Sequence, residues 1–132
     1  MRTDAQGCFR FDDVKLGEYV LTVEADSYAP QHRHVRVDPQ CEAQLFKLKP
    51  GRLVLGRVVD SKGQPIGGVC VVLNLWHCHT DPSGFYHWSV ESPPPEQVTL
   101  RAYKRYSRKY ETLKATLPFS ELVRQPIILQ NR

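Results

Sequence analysis

Three patterns are missing from this 132-residue sequence, and each absence excludes a class of protein. No apolar run approaches the roughly 18 residues that a membrane-spanning helix needs, which excludes a span of that kind. No stretch shows the 3.6-residue periodicity of a long amphipathic helix, which excludes a helical bundle. No pair of cysteines has C-x-x-C spacing, which excludes a zinc site built on paired cysteines and a thioredoxin-like redox site.

The charge excess is modest for a chain of this size. The net charge is +4 and the pI is about 9.0, and the Arg and Lys residues are spread along the chain with one denser stretch. A nucleic-acid partner is therefore not expected. Hydrophobic residues make up 41% of the chain, which is ordinary for a globular protein.

What the sequence does contain is one turn motif used twice, at residues 3–11 and 80–88. In each copy a Thr-Asp pair leads to a Gly and then to aromatic residues at every second position. The Asp oxygen can accept bonds from the amides ahead of it, and Gly tolerates a positive φ. We therefore predict a turn that feeds a strand with inward aromatics in both copies. The turn residues are Asp4 and Gly7 in the first copy, and Asp81 and Gly84 in the second.

Alternation of apolar and polar residues predicts many short strands. In the first part of the chain these cover residues 9–11, 19–23, 35–37 and 45–48. In the second they cover 53–59, 69–73, 86–88, 98–102, 113–117 and 127–129, and residues 76–80 lead into the repeated turn. Pro50-Gly51 is a strong turn signal between the two parts, so we predict domains at 1–50 and 51–132.

The pattern predicts an all-β protein, with a seven-stranded antiparallel Greek-key sandwich over 51–132. Residues 1–50 are a partial copy that lacks the first two strands. Four strands alone leave unpaired edges, which favour association. We expect completion by upstream sequence that was cut away, by docking on the second module, or by a strand-exchanged dimer.

Short motifs in both parts of the chain form a recognisable pattern. They are Gly56-Arg57-Val58-Val59-Asp60, Gly63-Gln64-Pro65-Ile66, Val69, Val71, Thr80-Asp81, Gly84, Tyr86 and Trp88 in the second part, and Thr3-Asp4, Gly7, Phe9, Phe11, Gly17-Glu18-Tyr19, Leu21, Val23 and Ser27-Tyr28-Ala29-Pro30 in the first. With these residues the chain resembles the carboxypeptidase regulatory-like family, which has a transthyretin-like (prealbumin-like) β-sandwich. The second part matches along its length and the first matches the later part of a repeat. The resemblance implies a non-catalytic tandem module of a secreted, periplasmic or cell-surface protein.

Histidines supply the candidates for metal chemistry. His77, His79 and His87 lie on adjacent predicted strands, as a Zn or Cu site requires, with Cys78 between the first two. The alternative is that they are exposed hairpin side chains, because Cys78 points away from His77 and His79 on a strand. His32 and His34 resemble the H-x-H iron ligands of intradiol dioxygenases, although these positions face solvent in the regulatory-like family.

Other chemistry finds less support in the residues. The ending Leu129-Gln130-Asn131-Arg132 lacks the Tyr-Arg-Gly-Ser of hydroxyisourate hydrolases, and residues 53–59 hold no Lys for an isopeptide bond. Disulfide bonds within each part, Cys8 with Cys41 and Cys70 with Cys78, are open alternatives to free thiols. We predict neither catalysis nor a cofactor.

A basic and aromatic loop is the best candidate for binding. Cations that alternate with flat rings suit an anionic partner such as an acidic glycan. The alternative is that the cations solubilise a sheet edge while the rings pack. The residues are Arg101, Tyr103, Lys104, Arg105, Tyr106, Arg108, Lys109 and Tyr110.

The leading hypothesis is an interaction or spacer module of a larger exported protein. Its partners would be other domains of the same polypeptide, or a glycan or protein ligand. A carbohydrate-binding module and a metal-dependent enzyme are the alternatives.

Overall fold

The computed structural model describes all of residues 1–132 and is built from short strands and one helical turn. The elements are β1 (Gly17–Val23), β2 (Gln31–Val37), β3 (Arg52–Asp60), β4 (Val69–Leu73), β5 (Trp76–His79), β6 (Phe85–Val90), β7 (Gln97–Lys104), β8 (Leu113–Pro118), α1 (Phe119–Leu122) and β9 (Ile127–Leu129). None of its helices is long and apolar enough to cross a membrane.

The strands form three sheets. β1 and β2 make a two-stranded hairpin, β6-β3-β9 make a three-stranded sheet, and β5-β4-β7-β8 make a four-stranded sheet. The pairs are antiparallel apart from β3 and β9, which run parallel. The prediction of an all-β protein with antiparallel sheets is confirmed, and the parallel pair is an exception to it.

The hydrophobic core lies between the two larger sheets. The odd-numbered residues of β4, Val69, Val71 and Leu73, are fully buried, and Tyr86 and Trp88 of β6 are 2% and 5% exposed. Since each buried aliphatic side chain contributes about 1.5–3 kcal/mol, the 15-residue cluster stabilises residues 52–129. The predicted inward aromatics of the second turn are therefore confirmed.

Residues 1–50 contribute almost nothing to this core. Ala29, at the end of the hairpin loop, is the one buried residue among them. Its amide donates to Lys49 O at 2.9 Å, and the Gly51 amide donates to Ser27 O at 2.9 Å. The loop of the hairpin is thus tied to the chain just before β3 begins.

Two predicted strands in the first part do not form. Residues 9–11 and 45–48 carry no ladder, and Phe11 is 54% exposed, so the prediction of inward aromatics is wrong there. Phe9 instead packs loosely on Phe11 and Phe46, with ring centroids 6.0 and 6.2 Å apart. The alternation is present in both segments, but neither has a neighbouring strand with which to pair.

One helical turn, α1, lies between the predicted strands at 113–117 and 127–129, where no element was predicted. Pro118 precedes it in an extended conformation with φ −60°, and Leu122 is buried at 3% exposure. Proline suits this position because its missing N–H would have no partner in the first turn. The turn covers one end of the core, and Phe119 contacts Trp88 edge-on at 6.4 Å.

The repeated turn occurs three times, at Asp4, Asp60 and Asp81, which is one more than the two copies identified in the sequence. In each, one Asp oxygen accepts bonds from the amides two and four residues ahead, at 2.8–3.0 Å. Gly at the fourth position has φ of +78°, +82° and +82°. The third example, starting at Asp60, joins β3 to the segment before β4. Bonds from the Gln64 and Lys62 amides, aided by the charges of Lys109 and Lys62, lower the pKa of Asp60 although partial burial opposes them.

Candidate functional site

The basic loop projects from the end of β7. Tyr106, at its apex, is 97% exposed and has φ +61°, and the Arg105 guanidinium lies 5.9 Å from its ring centroid. Tyr110 is half-buried against the core and forms an isolated bridge with Asn131. The loop is therefore anchored at its C-terminal side and presents one free ring at its tip.

The predicted binding residues divide into two places. Arg101 lies on the outer face of the four-stranded sheet, where its ladder neighbours are Val72 and Lys114. Tyr103 is half-buried opposite Cys70 on the same face. Lys104, Arg105, Arg108 and Lys109 belong to the end of β7 and the loop beyond it.

A shallow groove of about 550 Å³ runs across the outer face beside Arg101. Asn74, Thr99, Lys114 and Thr116 also line it. Lys114 was not among the predicted residues, because only the β7–β8 register places it beside Arg101.

None of the cations of this surface forms an ion pair with a carboxylate, although the charge of Lys109 acts on Asp60. The single ion pair in the structure joins Arg10 to Asp12 at 2.7 Å, in the first part of the chain. The cations instead contact rings: the Arg101 guanidinium lies 5.1 Å from the Tyr103 centroid and the Lys109 ammonium 5.3 Å from that of Tyr110. Unpaired positive charge beside aromatic rings can attract an anion at long range and contact it at short range.

The three candidate metal ligands do not converge into one site. His77 and His79 are exposed on one face of β5, while Cys78 points into the core, as the strand period predicts. His87 is exposed on the outer face of β6, so it does not meet Cys78, which packs against the core. No group of three His, Cys, Asp or Glu side chains is placed to hold a metal ion.

His77 and His87 do line one cleft, of about 960 Å³, between the start of the chain and the second module. Phe9, Phe11 and Trp76 form part of its wall, and the indole N–H of Trp76 is buried without a partner. The cleft is mixed in polarity, with Glu24 and Asp26 among its acidic residues.

His32 and His34 lie on the same face of β2 and do not form an iron site. His32 Nδ1 is 2.9 Å from Thr22 Oγ1, and His34 is exposed beside Val20 in the ladder. Burial and, to a smaller extent, the charge of His77 lower the pKa of His32, whereas the charge of Glu24 raises it. Tyr19, which pairs with Val35, lies on the other face of the hairpin from both histidines.

All four cysteines are free thiols. Cys70 pairs with His79 in the β4–β5 ladder and Cys78 with Val71, which places the two thiols on opposite faces of the sheet. A disulfide between them is thereby prevented. Burial, with a smaller effect from the charge of Cys70, raises the pKa of Cys78 to about 11. Burial, with a smaller effect from the charge of Cys78, raises the pKa of Tyr86 to about 12.

The outer face of the three-stranded sheet exposes four large apolar side chains beside the polar Arg57, His87 and Ser89. Leu53 and Leu55 are 59% and 66% exposed on β3, and Phe85 and Ile128 are each 44% exposed on the flanking strands. Four large apolar side chains on one face are more than the isolated exposed residues that a monomer commonly shows. The alternation of apolar and polar residues predicted that these side chains lie on strands, but it did not show which face of the sheet is exposed to solvent.

No protein-family model matches this sequence, and no curated protein shows significant similarity to it.

Proposed function

We propose that this chain is a non-catalytic interaction and spacer module of a larger exported or cell-surface protein. Residues 51–132 would be a regulatory-like, prealbumin-like Greek-key sandwich, and residues 1–50 the later part of a second copy. The exposed apolar face formed by Leu53, Leu55, Phe85 and Ile128 is the observation that carries the interaction role. Tandem β modules commonly dock through such faces while their cores stay separate.

The repeated architecture supports the spacer role. The hairpin pairs Tyr19 with Val35, and the second module pairs Val98 with Leu117, at corresponding positions of the repeat. The Asp-x-x-Gly turn precedes each of these antiparallel pairs by a similar distance. Two modules built on one plan, joined by the short segment around Gly51, suit a chain that positions other domains.

Site-specific photo-crosslinking tests the proposed interaction. A photoreactive residue at position 55, in the complete parent polypeptide, is expected to crosslink to a neighbouring domain of that polypeptide. The matched control is position 116, which is exposed on the outer face of the other sheet. Equal yields from both positions, or none from position 55, would contradict the proposal. A stoichiometric metal found by elemental analysis of protein purified without chelators would favour the enzyme alternative instead.

Carbohydrate binding is the second candidate, favoured by the 97% exposed Tyr106 ring beside Arg105, which forms no ion pair. An array of acidic glycans is the test. The double change Arg105→Ala with Tyr106→Ala is expected to lower binding about tenfold, because a cation and a ring face are lost together. Tyr28→Ala, which removes a 42% exposed ring elsewhere, is the control and should leave binding unchanged. Absence of binding by the unaltered protein removes this candidate.

A further inference from the structure

The two strands that fail to form in residues 1–50 share one property. By the spacing of the repeat, residues 9–11 correspond to part of β6 and residues 45–48 to β9. In the second module both β6 and β9 pair with β3, on its two sides. Residues 1–50 have no counterpart of β3, so both segments lack their ladder partner.

The two strands that do form have the opposite property. β1 corresponds to β7 and β2 to β8, and these pair with each other in both copies at matching register. The other edge of β7 is covered by β4, whereas the equivalent edge of β1 has no strand beside it. The hairpin is therefore half of a sheet with its β4 side open.

Exposure of the equivalent side chains marks where the missing strands would lie. Tyr86 and Trp88 are 2% and 5% exposed, but Phe11, the counterpart of Trp88, is 54% exposed. Val98 is fully buried under its neighbours, but Tyr19, its counterpart, is 42% exposed. These two positions therefore face a core in the second module and solvent in the first, whereas Phe9, Leu21 and Val23 are half-buried.

We propose that residues 1–50 are an acceptor for a strand-turn-strand segment of a partner protein that has the alternating apolar chemistry of β3 and β4. One strand of the donor would lie between residues 9–11 and 45–48, and the other would pair antiparallel with the free edge of β1. This names a partner for the interaction module and rests on that proposed function. Main-chain hydrogen bonds would supply affinity and the alternating apolar side chains would supply specificity.

The second module specifies what the donor must carry. Its β3 places Val54 and Val58 toward the core, and Gly56 lies opposite Tyr86, where a Cβ would overlap the ring. A donor for residues 1–50 is thus expected to have alternating apolar residues with a Gly facing Phe9. A second copy of this chain cannot supply it, since its own β3 is already paired on both sides.

The test uses the full 132-residue chain and a synthetic peptide with the sequence of residues 52–74, which contains β3 and β4. Hydrogen exchange is followed by mass spectrometry with and without peptide. We expect amide exchange at residues 17–23, 9–11 and 45–48 to slow by about tenfold or more in the presence of the peptide. A control peptide with Val54→Asp and Val58→Asp should have no effect, because both substitutions place a carboxylate in the apolar interface.

A variant of the protein provides a second control. Phe9→Ser removes a ring from the acceptor but leaves the core of residues 52–129 untouched, so exchange within that core should not change. The same variant should lose the protection that the peptide gives to residues 17–23.

Three outcomes overturn the proposal. The first is no slowing at saturating peptide, and the second is protection confined to 52–129, which would mean that the peptide replaces native β3. The third is a dimer in sedimentation measurements whose β1 is already protected without peptide, which would mean that two copies pair edge to edge. None of these touches the crosslinking from position 55, so the two proposals fail separately.

Discussion

The three Asp-x-x-Gly turns allow a matched test of how tertiary structure acts on one local motif. Gly63 and Gly84 both have φ +82°, and both follow an Asp that accepts the same two amide bonds. A Cβ at Gly63 meets nothing within 4 Å, whereas one at Gly84 lies 2.6 Å from the Val58 carbonyl oxygen. Replacement of each Gly by Ala therefore separates backbone strain from steric overlap.

The expected magnitudes follow from these two contributions. Ala in the left-handed region costs about 1–2 kcal/mol, and this is the whole expected effect of Gly63→Ala. Gly84→Ala adds an overlap with backbone that is itself held by the Val58 N–H bond to Gly84 O at 2.8 Å. Because overpacking costs about 1–3 kcal/mol, the total for Gly84→Ala is about 2–5 kcal/mol.

Urea denaturation followed by tryptophan fluorescence measures both changes, since Trp88 lies in the core. With a denaturant slope of about 2 kcal/mol per molar, Gly63→Ala should lower the midpoint by about 0.5–1 M and Gly84→Ala by about 1–2.5 M. Equal shifts for the two variants would refute the argument, as would a larger shift for Gly63→Ala. A changed slope would instead indicate an altered unfolded or native state.

Three further predictions follow from buried polar and titratable groups. Thr80 Oγ1 accepts a hydrogen bond from the Val69 amide at 2.9 Å and donates one to Ile66 O at 2.8 Å, so Thr80→Val should lower the free energy of unfolding by about 1–3 kcal/mol. The control Thr116→Val changes an exposed threonine and should leave the free energy of unfolding unchanged in the same denaturant titration. The pKa of His32 is lowered by folding, so the folded state binds fewer protons than the unfolded state, and the stability that neutral His32 provides should fall as pH drops below 6.5. His32→Asn should remove that part of the pH dependence in thermal unfolding scans between pH 5 and 8, and an unchanged profile would count against it. Burial raises the pKa of Cys78 to about 11, so a maleimide at pH 7.5 should label exposed Cys8 long before Cys78, and equal labelling rates in the native protein would contradict this placement.

The sequence was sufficient to predict those features that depend on residues close together in the chain. The Asp-x-x-Gly turn depends on residues within five positions of each other, and the Asp4 and Asp81 turns form as expected. The sequence also predicted a turn at residues 60–65, but did not identify it as a third copy of the same motif. The faces of His77 and Cys78 likewise followed from the two-residue period of a strand.

The candidate binding surface was predicted in part. Tyr106 is exposed at the apex of a loop, which agrees with the prediction that this basic and aromatic segment is a loop. The place of Lys114 beside Arg101, and the separation of His87 from His79, depend on which strands pair and in what register. Periodicity gives each strand two faces but does not state which neighbour lies beside either of them.

By itself the sequence determined the turns, the period of the strands and the all-β character, because hydrogen bonds and alternation within a few residues are enough to specify them. Only the tertiary structure decided which of the alternating segments became strands. Residues 9–11 and 85–90 carry the same pattern, yet only the second is a strand, because only it has β3 alongside. A strand's hydrogen bonds are made to another part of the chain, so its formation depends on that partner being present.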